Sequence, residues 1–398
     1  SDLTFCAARW HHIVCAGAAR FDNRAVLLSA LQRRNISLDT TATDLEIAGA
    51  LYAEHGASMA GLLEGDFAFV LYDHLARRVV AVRDIFGVRP LFYSEQESSL
   101  HFSSRCEALA PETSNYDHEY IAEFVMGHTT SSVNTMYRGV QRVAPAHVMT
   151  WRESRCESTR LWEPRDIALA NMSFSDACDS FQLKFTDSVR SRMNGPTAVW
   201  ADLSGGLDSS SIVVTAASLA RAGLVTPLQG TRTYEDSLGD ADERRFVDAV
   251  VQKAGVPSTR IGDDWPWRDD GELPPLSDEP SAQYPYFACE RRMNRAVTDR
   301  GASIVLDGQG SDYYLWGNDF HFTDLLAKRR IAAAALDAQK LARSYRCSIW
   351  RIFWCYGIAP FVPRALRHSV TARAVQTPNW LTPSFVKSQD LRRLLPGA

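Results

Sequence analysis

The sequence lacks three features that would mark whole classes of protein. Its apolar runs are interrupted by charge well before the ~20 residues that a membrane-spanning helix needs. We expect no signal peptide in the first residues of this sequence, because Asp2, Arg9 and His11 break any apolar stretch there. A charge excess is also missing, since 43 Lys and Arg against 47 Asp and Glu give a net charge of −4. These absences argue against a membrane protein and against a nucleic-acid partner.

Paired cysteines are absent as well. Eight cysteines are scattered along the chain and none forms a CxxC pair, so neither a zinc site nor a redox motif is indicated. A chain of 398 residues can bury a full core without disulfides. We therefore expect reduced thiols and a cytoplasmic protein, with Cys6 and Cys15 in the core.

Length and pattern divide the chain into two predicted domains, residues 1–164 and residues 165–398. At roughly 100–200 residues per domain, a chain of 398 residues holds two or three. The first segment is rich in strands and has two helices, an α+β pattern. Its clearest predicted helices start near residue 22 and cover 41–53, the second with a cap near Thr43 or Asp44. Its clearest predicted strands cover 62–72, buried on both faces, and 78–83.

The second segment alternates strands with helices, a pattern typical of an open parallel sheet, and ends in a mainly helical part over 323–370. The predicted strands cover residues 198–203, 226–229, 260–261 and 303–306. The predicted helices cover residues 173–193, 209–220, 244–254 and 286–300. The predicted fold class is therefore two-domain, with an α+β part followed by an α/β part.

A glycine pair between a strand and a helix carries the strongest functional signal. The segment Leu-Ser-Gly-Gly-Leu-Asp-Ser-Ser occupies residues 203–210. Adjacent glycines let the backbone approach a phosphate, and N–H groups at a helix N-terminus face the anion. Asp208 would repel a phosphate, but a Mg²⁺ ion between the two removes that objection. We predict nucleotide binding by Leu203, Ser204, Gly205, Gly206, Leu207, Ser209 and Ser210.

This segment and a second loop further along the chain each allow a functional and a purely structural interpretation. A glycine pair before a helix also serves as a plain structural cap, but the whole octet after a strand favours a nucleotide. The lysine-containing P-loop of kinases and GTPases is absent. A second loop, Leu-Asp-Gly-Gln-Gly-Ser-Asp at residues 306–312, also follows an apolar strand. Its aspartates fit either a metal site at the strand ends or an ordinary polar loop.

These segments resemble a known family. The octet resembles the pyrophosphate loop of the ATP pyrophosphatases, which cleave ATP between its α and β phosphates. The second loop is similar to the Ser-Gly-Glu-Gly-Ser-Asp-Glu segment of asparagine synthetases. Residues 65–73 and 83–93 resemble the amidotransferase domain of the same enzymes.

The resemblance implies a fold, cofactors and roles. The fold would be an N-terminal-nucleophile sandwich of two sheets between helices, followed by an ATP pyrophosphatase domain. The cofactors would be ATP and Mg²⁺, with Asp208 and Asp312 as catalytic metal ligands. Gly308 would lie beside the nucleotide, and Gln309 would hold a catalytic position.

The chain departs from a glutamine-using synthetase at two places. Ala18, Ala19 and Arg20 stand where the family carries the Asn-Gly-Glu that holds glutamine, and Ser1 stands where it carries a catalytic cysteine. We therefore predict that glutamine is not hydrolysed. Gln309 replaces a glutamate that aids proton transfer from the attacking amine, and glutamine cannot act as a general base. This second change disfavours asparagine as the product.

Two relatives of the asparagine synthetases use an amine of the substrate itself, the β-lactam synthetases and the lasso peptide cyclases. Residues 19–24, 237–246, 278–280 and 379–381 resemble segments of the cyclases. The resemblance implies macrolactam closure of a precursor core peptide between its N-terminal amine and an Asp or Glu side chain. A leader peptidase or recognition protein would be a further partner.

Several assignments stay open at this point. Glu279, Tyr284 and His321 are candidate proton acceptors. Lys328 and Lys387 are candidates for stabilising the intermediate, although a solvated surface lysine is the plainer interpretation of each. The alternative functions are an asparagine synthetase, a β-lactam synthetase-type ligase, and an inactive scaffold that binds a nucleotide or a peptide.

Overall fold

A computed structural model describes most of the chain. The described residues are 6–39, 41–96, 99–110, 115–127, 131–153, 155–163, 172–193, 198–235, 243–262, 279–281, 283, 286–315, 321–363 and 380–391. The chain divides into two compact units. The larger unit comprises residues 1–120 and 131–307, and the smaller comprises residues 121–130 and 308–398.

The regular elements are numbered in chain order. The strands are β1 (Cys6–Trp10), β2 (Ile13–Phe21), β3 (Gly65–Asp73), β4 (Arg78–Arg83), β5 (Phe92–Gln96), β6 (Ser99–Ser103), β7 (Gln141–Arg142), β8 (His147–Arg152), β9 (Arg155–Arg160), β10 (Val199–Asp202), β11 (Gly230–Glu235), β12 (Ser258–Gly262) and β13 (Ile304–Leu306). The helices are α1 (Arg24–Gln32), α2 (Asp44–His55), α3 (His118–Val125), α4 (Phe174–Met193), α5 (Leu207–Arg221), α6 (Arg244–Ala254), α7 (Phe287–Thr298), α8 (Ser311–Leu315), α9 (His321–Ala327), α10 (Ile331–Ser344), α11 (Ile349–Ile352) and α12 (Pro383–Ser388).

The N-terminal part of the larger unit stacks a helical layer and two antiparallel sheets. The six-stranded sheet has the order β1-β2-β3-β4-β8-β9, and the three-stranded sheet has the order β6-β5-β7. One face of the six-stranded sheet packs against α1, α2 and the 3₁₀ turn Gly56–Leu62. Its other face packs against the three-stranded sheet.

Strand β3 shows why the layers form. Phe67, Phe69 and Leu71 point into the core beneath the helices, whereas Ala68 belongs to the core between the sheets. Alternate side chains of a strand face opposite ways, so a strand that is apolar at every position needs cover on both faces. The expected burial of β3 on both faces is confirmed except at Tyr72, which is exposed.

Helix α2 begins where the sequence indicates. The Thr43 hydroxyl accepts from the Glu46 backbone N–H at 3.2 Å, and the Glu46 carboxylate accepts from the Thr43 N–H at 2.6 Å. Such a reciprocal cap is worth about 1 kcal/mol. The predicted helix over 41–53 is thereby confirmed, together with its N-terminal cap.

The C-terminal part of the larger unit holds a parallel sheet of order β12-β11-β10-β13. Its core includes Ala201, Val213, Ala216 and Val247. The predicted parallel sheet is confirmed, and so is the fold class, an α+β part followed by an α/β part. One strand was placed wrongly: residues 226–229 precede the real strand β11, because Pro227 disfavours a central strand.

Two further findings concern the expected core and the smaller unit. Cys15 is buried as expected, but the expectation for Cys6 is wrong, since Cys6 begins the outer strand β1 and is exposed.

In the smaller unit, Phe322 packs with Ala334 and Ala338, which fits the predicted helical region. Residues 364–370 of that prediction lie outside the described residues. Among the described helices, none has the length and apolarity to cross a membrane.

Candidate functional site

The segment 203–210 is a loop held between β10, β11 and the start of α5. Leu203 is buried in the core, and its backbone N–H donates to the Arg232 carbonyl at 2.9 Å. The Thr233 hydroxyl donates to the Leu203 carbonyl at 2.7 Å. Leu203 thus anchors the loop, whereas Leu207, also predicted to contact the nucleotide, is exposed at the start of α5.

The serines and glycines inside the loop give it a defined shape. The Ser204 backbone N–H donates to the Ser209 Oγ at 3.1 Å, and the Gly206 N–H donates to the Ser204 Oγ at 3.3 Å. Gly205 has a φ of +91°. A Cβ atom there would lie 3.1 Å from the Glu243 carbonyl oxygen. Gly205 therefore meets both requirements that favour glycine, a left-handed backbone and a close approach.

The residues of the loop fit a phosphate and a divalent cation. The Ser210 Oγ is buried and has no hydrogen-bond partner among the described residues. Gly206 caps α5 with its backbone, and Asp208 lies in the first turn of the helix. A helix N-terminus with an unpaired hydroxyl suits an anion, and a carboxylate beside it suits Mg²⁺ shared with phosphate oxygens.

A buried arginine that the sequence analysis missed lies next to this loop. The side chain of Arg232 on β11 is 7% exposed and pairs with both carboxylate oxygens of Asp202 at the end of β10. It also donates to Asn294 Oδ1 at 2.6 Å, and Glu290 of α7 lies 3.8 Å away. A single arginine thereby ties the end of β10 to helix α7.

The pKa of Arg232 depends in part on the charge of Asp307, a residue of the second loop. Burial alone would lower the pKa of Arg232, but the hydrogen bond and charge of Asp202, with the charges of Glu290 and Asp307, raise it above its ordinary value. Asp307 directly follows β13, which pairs in parallel with β10. The signal for this cluster in the sequence is an arginine inside a threonine-rich strand, Gly-Thr-Arg-Thr-Tyr.

The remaining predicted residues of the second loop lie in the smaller unit. Gly310 has a φ of +92°, and the Ser311 hydroxyl donates to the Gly308 carbonyl at 2.7 Å. Gln309 and Asp312 are exposed, and Asp312 lies in the first turn of α8. The turn therefore has a defined shape within its own unit. The shared metal site of Asp208 and Asp312 stays a prediction.

The predicted remnant of a glutamine site is built around ion pairs. Ala18, Ala19 and Arg20 lie on β2. Arg20 contacts Asp22 at 2.7 Å and Asp66 at 3.5 Å. Burial raises the pKa of Asp22 above its ordinary value, although the positive charges of Arg192 and Arg20 act against this rise.

A second arginine completes this cluster from the C-terminal part of the larger unit. Arg192, on α4, lies 3.2 Å from Asp22 and also pairs with Asp66. Two arginines and two aspartates therefore meet beside the three replaced residues. Neither Arg192 nor Asp66 was predicted, because the contact joins residues more than a hundred positions apart.

The structure describes the surroundings of two candidate proton acceptors, Glu279 and His321. Glu279 pairs with Arg142, and His321 Nε2 lies 3.3 Å from Asp337 Oδ2. Lys328 and Lys387 are both exposed. Tyr284, most of the cyclase-like segment 237–246 and Asn379 lie outside the described residues.

Comparisons with known proteins place the chain in a family. The family model described as glutamine amidotransferase domain matches residues 11–162, and the one described as asparagine synthase matches residues 180–395, just over half of the chain.

Curated relatives agree with these matches. Amidase chyE of Penicillium rubens is 25% identical over 85% of this chain and 55% of its own length. Asparagine synthetase [glutamine-hydrolyzing] 3 of Bacillus subtilis is 29% identical over 49% of this chain and 32% of its own length. The plant asparagine synthetase of Sandersonia aurantiaca is 24% identical over 77% of this chain and 54% of its own length.

The extent of these matches limits what each one shows. The chain spans about half the length of the amidase and the plant synthetase, and about a third of the bacterial one. A solved glutamine phosphoribosylpyrophosphate amidotransferase of B. subtilis overlaps 77% of this chain and 73% of its own, but at 12% identity and a TM-score of 0.28 it carries no argument. The match to residues 180–395 is sufficient by itself: the chain belongs to the asparagine synthase family.

Proposed function

We propose that the chain is an AMP-forming, ATP-dependent carbon–nitrogen ligase that closes a macrolactam ring in a lasso precursor peptide. The observation that carries the proposal is the loop 203–210, with a left-handed glycine in close contact with its surroundings, an unpaired buried hydroxyl and a carboxylate in the first helical turn. Family membership supports the same type of chemistry.

The reaction would run in two displacements. An oxygen of the substrate carboxylate attacks the α-phosphorus of ATP, the bond to the β-phosphate oxygen breaks, and pyrophosphate leaves. The amine then attacks the acyl carbon of the acyl-adenylate, loses a proton and expels AMP, which retains one oxygen of the original carboxylate. The loop N–H groups and the Ser210 hydroxyl would bind the leaving pyrophosphate. Mg²⁺ held by Asp208 and Asp312 would neutralise phosphate charge.

The proposal also states where the amine comes from, namely from the substrate peptide itself. Arg20 pairs with aspartates where the family binds the amide of glutamine, and Ala18 offers no polar side chain. These residues support a substrate that brings its own amine. A peptide's terminal amine has a pKa near 8 and is partly neutral at physiological pH, so it needs less help from a base than ammonium does.

The presence of Gln309 supports ring closure of a peptide over the formation of asparagine. Because a glutamine side chain cannot accept a proton as a general base, the amine must be positioned well rather than deprotonated by this residue. A folded peptide achieves this by holding amine and carboxyl carbon within ~3–3.5 Å of each other. A leader peptidase or recognition protein would deliver such a peptide.

Mass spectrometry of a candidate core peptide incubated with ATP, Mg²⁺ and the protein tests this proposal. We expect the peptide to lose one water and the nucleotide to become AMP. Conversion of aspartate to asparagine, with the peptide unchanged, would replace ring closure with the asparagine synthetase alternative. Absence of ATP–pyrophosphate exchange with every carboxylate tried, in a protein that binds ATP, would favour the inactive scaffold.

A further inference from the structure

Part of one sheet face in the N-terminal region is left open. The helices and the 3₁₀ turn Gly56–Leu62 cover the face of β2, β3 and β4, but all six residues of β9 are exposed. Strand β9 is one of the two outer strands of the six-stranded sheet, at the opposite edge from β1. A cavity of about 690 Å³ lies over this face, between the 3₁₀ turn and strands β4, β8 and β9.

Three arginines meet at one level of this open face. Arg78 of β4 lies opposite Arg152 of β8, which in turn lies opposite Arg155 of β9. Residues opposite each other in antiparallel strands point to the same face, and like charges in that arrangement are destabilising. The sheet therefore concentrates positive charge along one line of the cavity.

The compensation of this charge is incomplete. Arg78 has Asp73 opposite it on β3. Among the described residues, Arg152 pairs with Glu153 alone, at 3.9 Å, and Glu153 is itself largely exposed. Arg155 makes no side-chain hydrogen bond or ion pair with the residues that the structure describes. The guanidinium of Arg155 is thus available to an anion, and that of Arg152 is held only by a long, exposed ion pair.

The rest of the cavity suits an extended chain. Arg160 also lines the cavity, but its side chain already pairs with Glu163 at 3.3 Å and donates to the Trp162 carbonyl at 3.1 Å. Glu153 and Glu157 add two negative charges to the lining. Hydroxyl groups of Ser58 and Thr150 also line it. The outer backbone groups of β9 face no strand among the described residues, so a peptide can pair with them while alternate side chains enter the cavity.

We propose that this arginine groove, formed by Arg78, Arg152 and Arg155, binds an acidic peptide segment that adds to the sheet along β9. Glutamate or aspartate side chains of the segment pair with Arg152 and Arg155, which relieves the repulsion between them. A small anion would use the charges but not the open strand edge. The site is separate from the loop 203–210, and its occupancy does not require the ligase reaction.

Fluorescence anisotropy in the absence of ATP tests the proposal. The probe is a labelled ten-residue peptide of alternating glutamate and valine, with peptides of alternating lysine and valine and of alternating serine and valine as comparisons. We expect only the glutamate peptide to bind, with an affinity that falls as salt increases. Equal binding of the serine or lysine peptide would overturn the proposal.

Variants separate this groove from general charge attraction. Arg152→Glu with Arg155→Glu should weaken binding at least tenfold, and the neutral pair Arg152→Gln with Arg155→Gln should weaken it less. Arg33→Glu with Arg138→Glu alters exposed arginines elsewhere by the same total charge and should leave binding unchanged. A similar loss in this control pair would refute the assignment to the groove.

Two further measurements exclude unfolding and a small-anion site. Thermal melting of the Arg152 and Arg155 variants should show no loss of stability, because removing like charges from one level relieves repulsion. N-acetylglutamate amide should bind at least tenfold more weakly than the peptide. Equal affinity would show a small-anion site and contradict a peptide site. Because no measurement involves ATP or ring closure, failure here is distinct from failure of the proposed ligase function.

Discussion

Replacing Gly205 by alanine perturbs the loop 203–210, and the size of the effect can be worked out from the loop's geometry. A φ of +91° costs an L-residue roughly 1–2 kcal/mol. The added Cβ would also lie 3.1 Å from the Glu243 carbonyl oxygen and 3.2 Å from the Phe246 Cβ, closer than normal van der Waals contact. Either the loop or the start of α6 must therefore shift by a few tenths of an ångström to accommodate the methyl group.

Gly223 supplies the matched control. It follows α5, has a φ of +71°, and a Cβ there would meet nothing within 4 Å. Gly223→Ala therefore introduces comparable backbone strain without a clash and away from the loop. Gly223→Ala should lose about 1 kcal/mol of unfolding free energy in urea titrations, and Gly205→Ala should lose more because of its close contacts. Of the two, Gly205→Ala alone alters the loop whose N–H groups we propose to face the phosphates.

ATP–pyrophosphate exchange measures the consequence for function. A displacement that costs about 1.4 kcal/mol of transition-state stabilisation slows exchange tenfold, so we expect at least that loss for Gly205→Ala and less than twofold for Gly223→Ala. The Gly205 variant must remain folded, as judged by circular dichroism. Exchange at the wild-type rate in a folded Gly205→Ala protein would refute the assignment of this loop to the phosphates.

Three other predictions follow from the same structure. Asp208→Asn and Asp312→Asn should each abolish product formation while circular dichroism stays unchanged, and normal turnover in either would remove it from the metal site. Arg232→Met should lower the unfolding free energy in urea titrations by about 2–3 kcal/mol, because it leaves the carboxylates of Asp202 and Glu290 without their cation. A change below about 0.5 kcal/mol would contradict the buried network around Arg232. Burial raises the pKa of Cys15 to about 12, so this thiol should resist alkylation in the native protein while exposed Cys6 reacts, and mass mapping that finds Cys15 modified first would be inconsistent with its burial.

The structural features that could be predicted from the sequence are those formed by residues close together in the chain. The cap of α2 and strand β4 were predicted closely because Thr43 and Glu46 interact three residues apart and Arg78–Arg83 has an unbroken β pattern. The prediction of a nucleotide loop at 203–210 likewise rests on contiguous glycines and serines, and it stays a prediction. Each of these signals lies within one short window of the chain.

The structural features that could not be predicted depend on contacts between residues far apart in the chain. Arg232 interrupts strand β11 with a charge that is acceptable only because Asp202 and Asn294 meet it from other elements. The Arg192 contact with Asp66 joins two parts of the chain in the same way. Cys6 was expected to be buried from its residue type, but its place at the start of an outer strand leaves it exposed.

Isotope transfer tests the central claim most directly. A candidate core peptide carrying heavy oxygen in its side-chain carboxylate is incubated with ATP, Mg²⁺ and the protein, and the nucleotide is analysed by mass spectrometry. Attack of the carboxylate on the α-phosphorus predicts one heavy oxygen in AMP for each ring closed. Heavy oxygen in inorganic phosphate, together with ADP, would instead show attack on the γ-phosphorus and would contradict the account.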